Sequence, residues 1–199
     1  IINTNTDNHV SWNWEMGSAV SGATTSSGTA KTYEGYANPT AGQSVIKYVG
    51  NGTNWHSVPH GLSKAPEFAI IRKYGGGAVE QWTCIAWNFT TTIYYKVGAL
   101  DATTMETNGG AGGMTNSAPD ATNVNYGGDD YVNSNGVDMI SYLWHSVDGF
   151  SKCGMWSGNN NANGPFVYTG FRPAFILFHR FDAADNWNMY DKDRGYNSA

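Results

Sequence analysis

Charge is scarce in this sequence. Asp, Glu, Lys and Arg make up 14% of its 199 residues, with a net charge of −5, where an average soluble domain carries about a quarter of its residues charged. No basic block is present, so recognition of nucleic acid through its phosphates is set aside. No apolar run reaches the roughly 18 residues that cross a membrane as a helix, and no membrane span is expected. Cysteine is limited to Cys84 in "WTCIAW" and Cys153 in "SKCGMW". No further ligands stand at zinc-motif spacing. Both read as small buried hydrophobes, and whether they pair is left open. Helical periodicity is missing too: no long window keeps the i, i+3, i+4 apolar spacing clear of Gly, Pro or Asn.

What is present is aromatic, small and neutral polar. Eight Trp, twelve Tyr and eight Phe argue against disorder, because disordered chains lack the aromatics to build a core. Strand-like runs stand at residues 44–49, 67–73, 82–87, 138–144, 152–156, 166–169, 174–180 and 187–190, with weaker ones at 10–14 and 93–97. "FAIIRK" and "FILFHR" are apolar on both faces, as in strands buried between two layers. Asn-Gly pairs beginning at Asn51, Asn108, Asn135 and Asn163 mark turns. The pattern predicts an all-β chain: an antiparallel β-sandwich of jelly-roll or lectin-like type. "SAVSGATTSSGTAK", residues 18–31, reads as a linker or loop. Residues 99–135, rich in Gly, Ala, Thr, Asn and Asp, read as a long surface excursion with little core of its own.

The chain also repeats itself. Ala65-Pro66-Glu67-Phe68 aligns with Arg172-Pro173-Ala174-Phe175, about 107 residues on, and Lys73 and Arg180 close the apolar runs that follow. Tyr48-Val49-Gly50-Asn51 aligns with Trp156-Ser157-Gly158-Asn159, and Trp82 with Trp187. An aromatic stretch precedes each copy, Trp12–Trp14 or Tyr142–Trp144. The unit is a strand, a glycine turn, a Pro-led strand and a Trp-led strand. An internal duplication is therefore expected: an N-terminal strand and loop region over 1–43, a first copy over 44–98, the glycine- and asparagine-rich excursion over 99–137, and a second copy over 138–199. The opening "IINTNTDNHV" has no charged or apolar leader, and the end "DKDRGYNSA" follows soon after a strand-like run, so the chain is expected to be a piece of a longer polypeptide.

The run "DGFSKCGMWSGN…GPFVYTGFRPAFILFHR…NWNMYD…RGYN" resembles an uncharacterised β-rich domain of tailed bacteriophages, mainly marine ones, which recurs in large virion proteins described as tail or fibre components. "HGLSKAPEFAIIRK" and "SWNWEMG" resemble its upstream portion. The resemblance implies a virion location, a structural or host-attachment role, and partners that are copies of the chain itself and other virion proteins. It carries no catalytic residues. This chain departs from the family pattern at Cys153 and in its glycine-rich excursion.

Candidate sites follow from residue chemistry. Trp55 sits in the polar loop "GNGTNWHSV" with Asn54 and His56 beside it, an aromatic face with hydrogen-bonding neighbours of the kind that holds a glycan on a host surface. The second reading is accordingly a lectin-like adhesin domain. His56 and His60 would make a metal pair on a helix, but Pro59 and Gly61 place them in a turn. Asp182 and Asp185 in "DAADN" are candidate calcium ligands, although the six to eight oxygens that calcium takes are not at EF-hand spacing. No other cofactor is implied. Glycoside hydrolysis needs two opposed carboxylates, and none of the five Glu sits in such a motif; no nucleophile elbow exists either. The chain is expected not to be an enzyme, with a polysaccharide-degrading activity the least favoured reading.

Overall fold

The structure is a computed structural model, and it describes residues 11, 13–26, 28–75, 81–87, 97–100, 105–106, 113–115, 117–180 and 182–193. The strands are β1 (Ser18–Ala23), β2 (Thr25–Ser26), β3 (Thr32–Asn38), β4 (Gln43–Val49), β5 (His56–Pro59), β6 (Phe68–Lys73), β7 (Thr83–Ala86), β8 (Val97–Ala99), β9 (Met105–Glu106), β10 (Asn123–Tyr126), β11 (Asp138–Trp144), β12 (Phe175–Phe178) and β13 (Asn188–Asp191). One short helix, α1 (Asp130–Asn133), lies between β10 and β11. Eight strands form a sheet in the order β1-β3-β4-β11-β6-β7-β8-β9, three form a second in the order β10-β5-β2, and β12 and β13 pair alone. Every pairing among the described residues is antiparallel. The domain is all-β and sandwich-like, as its sequence pattern predicts.

The core lies between the large and the three-stranded sheets. On β11, Met139, Ser141 and Leu143 are buried while Ile140, Tyr142 and Trp144 face outward half-buried, the alternation of a pleated strand. Ile46 and Tyr48 of β4, Ala69 and Ile71 of β6 and Ile85 of β7 join them, and Val58 of β5 with Val124 and Tyr126 of β10 close the cluster from the other sheet. Tyr48 and Tyr126 stack across the layers, 5.2 Å between centroids. Their hydroxyls stay satisfied inside: Tyr48 donates to the Val132 carbonyl at 2.6 Å, and Tyr126 pairs with Ser141 at 2.7 Å. A buried phenol without such a partner would cost about 1–3 kcal/mol.

Several expectations need correction. Residues 18–31 are not a linker, because they contain β1 and β2. β1 pairs with β3 along its whole length while leaving nearly every side chain exposed; an edge strand held by backbone bonds needs no apolar pattern. The excursion over 99–135 contributes more to the core than its composition suggests: Met114, Val124, Tyr126, Val132 and Asn133 are all buried. Residues 152–156 and 166–169 have strand-forming side chains but form no strand. Most of the weak runs at 10–14 and 93–97 falls outside the described residues. Cys84 is buried as expected but Cys153 is only half-buried; both thiols are free, which answers the pairing left open, and partial burial pushes the Cys153 thiol up to about 12.

The two aligned segments share local geometry. In β6–β7, Phe68 stands opposite Ala86, and in β12–β13, Phe175 stands opposite Asp191. Trp87 donates its backbone N–H to the Glu67 carbonyl at 2.8 Å, and Lys192 to the Ala174 carbonyl at 3.0 Å. Trp82 and Trp187 each immediately precede the second strand of their pair. Gly61 and Gly170, upstream of each pair, both take a left-handed φ, 70° and 83°, which favours glycine at both positions. The surroundings differ: β6–β7 is built into the large sheet, whereas β12–β13 pairs with no further strand among the described residues.

Candidate functional site

Three features stand apart from the core. The first is the loop between β4 and β5, which carries Trp55. Its ring is 42% exposed, with exposed Asn54 beside it, and its indole N–H donates to Ser57 Oγ at 3.1 Å. The loop is held from below. Asn133 Oδ1 accepts from the Asn51 N–H and from His56 Nδ1, both at 2.8 Å, while its two amide N–H groups are shared among Asn51 Oδ1, the Thr53 carbonyl and the Gly127 carbonyl, all at 2.9–3.0 Å. These bonds fix the His56 tautomer: Nδ1 carries the proton, and Nε2 accepts from Thr24 Oγ1 at 3.0 Å. His56 therefore lies wholly inside the protein, and burial lowers its pKa to about 4. It supports the Trp55 loop and does not face solvent. Gly50 lets the loop pass α1, since a Cβ there would come 2.1 Å from the Ser134 carbonyl oxygen.

The second feature is the outer face of the large sheet. Trp144 stacks on Phe68 at 5.7 Å and on Tyr142 at 6.4 Å, and meets the edge of Trp14 at 6.4 Å. Trp82 lies 6.2 Å from Tyr142, with the Arg72 guanidinium 4.7 Å over its ring. Trp187 docks the C-terminal strand pair here: its indole donates to the Ala99 carbonyl at 2.9 Å, and its ring stacks on His179 at 4.7 Å.

The third is residues 154–168. All are exposed, among them Met155, Trp156, Phe166 at 90% and Tyr168 at 78%. Trp156 touches Phe178 edge-on at 5.5 Å.

A family model described as Domain of unknown function (DUF7483) matches the chain from residue 1 to residue 199. The chain belongs to this family. No curated protein and no solved structure matches it.

In this DUF7483 domain the candidate calcium ligands have other partners. Asp182 pairs with Arg180 at 2.7 Å, and the Asp185 carboxylate accepts from the Asn186 N–H at 2.8 Å. Among the described residues no three His, Cys, Asp or Glu side chains converge on a point that could hold a metal. His60 is buried with Nδ1 accepting from the Leu62 N–H at 3.0 Å and Nε2 facing the Asp120 carbonyl at 3.1 Å. Asp129 caps α1, accepting from the Tyr131 N–H at 2.8 Å. Sequence reasoning placed Trp55 and Asn54 at the surface of a polar loop, where they are found. It missed Asn133, which lies 77 residues from His56; an Asn before Ser-Asn-Gly gives no local sign of burial.

Proposed function

We propose that this domain is a structural module of a bacteriophage particle, in a tail, fibre or other surface appendage, working by assembly with copies of itself and other virion proteins, and by host attachment. One observation carries the reading. A core with bonded buried polar groups sits next to a stretch, residues 154–168, that leaves large apolar side chains in water. Exposed apolar groups gathered in this way mark interaction surfaces. Two related units of a jelly-roll or lectin-like sandwich, produced by duplication, account for the shared register of β6–β7 and β12–β13. The bacteriophage setting rests on the resemblance of the aromatic repeat. Cross-linking mass spectrometry of purified particles tests it. Peptides of this domain cross-linked to particle proteins are the expected result, and their absence from intact particles contradicts it.

The second reading, a lectin-like adhesin, is favoured by Trp55 alone, a half-exposed ring beside Asn54 on a rigidly held loop. Under it, Trp55→Ala lowers signal on a glycan array at least tenfold while changing stability by about 1 kcal/mol or less, because the ring is largely outside the core. Unchanged glycan binding by this variant removes the second reading.

A further inference from the structure

We infer that residues 165–169 form a pairing strand for a second copy of this chain, the two copies meeting antiparallel about a two-fold axis at Val167. This rests on the reading of the domain as an assembly module and names its partner and surface.

Aligned on the left-handed Gly61 and Gly170, residues 165–168 occupy the position of β5. β5 has strands on both edges, β10 and β2, and its His56, Ser57 and Val58 are buried. Residues 165–168 have neither: among the described residues no strand pairs with them and none of their backbone groups is bonded to another backbone group. Phe166, Val167 and Tyr168 are 90%, 44% and 78% exposed. A stretch with a free edge of this kind is a template for another strand.

The sequence of the stretch selects its own copy as occupant. In an antiparallel pair centred on Val167, Phe166 stands opposite the partner's Tyr168, and Tyr168 opposite the partner's Phe166. Side chains alternate along an extended strand, so both aromatic pairs fall on one face. Cross-strand aromatic pairs are among the more favourable contacts a sheet makes. A two-fold contact requires such self-complementarity. With Met155 and Trp156, the exposed apolar side chains offer on the order of 600 Å² per copy, somewhat under the ~800 Å² per partner of a standard interface. The isolated pair is therefore expected to be weak, with a micromolar dissociation constant, and to be reinforced where many copies are held together.

Val167→Cys tests the geometry, since the two-fold axis places each thiol against its counterpart. Oxidation should give a disulfide-linked dimer at least tenfold faster than in Ala162→Cys, which also places a thiol at an exposed position of the same stretch, or in the unaltered chain. Adding Phe166→Asp and Tyr168→Asp should abolish the excess. These side chains are largely outside the core, so thermal melting should not change. Light scattering of the unaltered chain over a range of concentration separates the two claims. An oligomer whose Val167→Cys variant links no faster than Ala162→Cys overturns this surface and leaves the assembly reading standing. A monomer at every concentration, with no excess linkage, overturns this surface and, with it, the part of the assembly reading in which copies of the chain meet each other.

Discussion

Replacing Asn133 by alanine is expected to cost about 4 kcal/mol of folding stability. Asn133 is fully buried, and one amide serves the Asn51 and His56 donors together with three acceptors. Alanine removes the acceptor that the buried Asn51 N–H uses at 2.8 Å. A buried donor left unmade costs about 1–3 kcal/mol, and the lost bonds to Thr53 and Gly127 add to it. His56 recovers part of the loss, since moving its proton to Nε2 lets it donate to Thr24. The cost thus falls below the sum of five separate bonds but stays among the large single-residue effects. Urea unfolding measures it: the midpoint should fall with an unchanged slope. A loss under about 1 kcal/mol would mean that the loop carrying Trp55 is not held by α1.

Acid is expected to destabilise the domain before most carboxylates protonate. Burial holds His56 at about 4, against an ordinary value of 6.5, and lowers His60 in the same direction. The unfolded chain therefore binds more protons between those values. The stabilisation is complete above about pH 6.5 and is lost as pH falls toward 4. For His56 alone this amounts to about 2 kcal/mol between pH 7 and pH 5. Urea midpoints at the two pH values, with an NMR titration of the His56 ring, give the test. Equal midpoints, or a ring that titrates near 6.5 in the folded protein, would contradict the buried neutral imidazole.

Both effects concern groups that the sequence hides. β4, β6 and β11 are legible because a strand flanked by others in a sheet must alternate or fill both faces, and "SVIKYV", "FAIIRK" and "DMISYLW" do so. β1 is not, because its pairing to β3 uses backbone groups that every residue has. β10 and α1 are concealed for a different reason. "NVNY" and "DYVN" lie in text dominated by Asn, Asp and Gly, whose usual place is a turn, and only the packing of Tyr126 on Tyr48 and of Asn133 on His56 draws them inward. Residues 166–169 show the converse. Their composition favours a strand, but a strand needs a neighbour, and none is present among the described residues. The Trp pattern divides similarly: Trp87 is in the core, Trp187 docks the C-terminal pair, and Trp55 and Trp156 remain half-exposed.

Assembly of a stable sandwich through residues 154–168 has a direct signature in backbone amide exchange. Hydrogen exchange, compared between the isolated chain and the assembled particle or oligomer, measures it most directly. Strong protection of β4, β6 and β11 is expected in both states, with the amides of residues 166–168 exchanging freely in the isolated chain and slowing at least tenfold on assembly. Amides of residues 166–168 that exchange equally fast in both states would rule out pairing there.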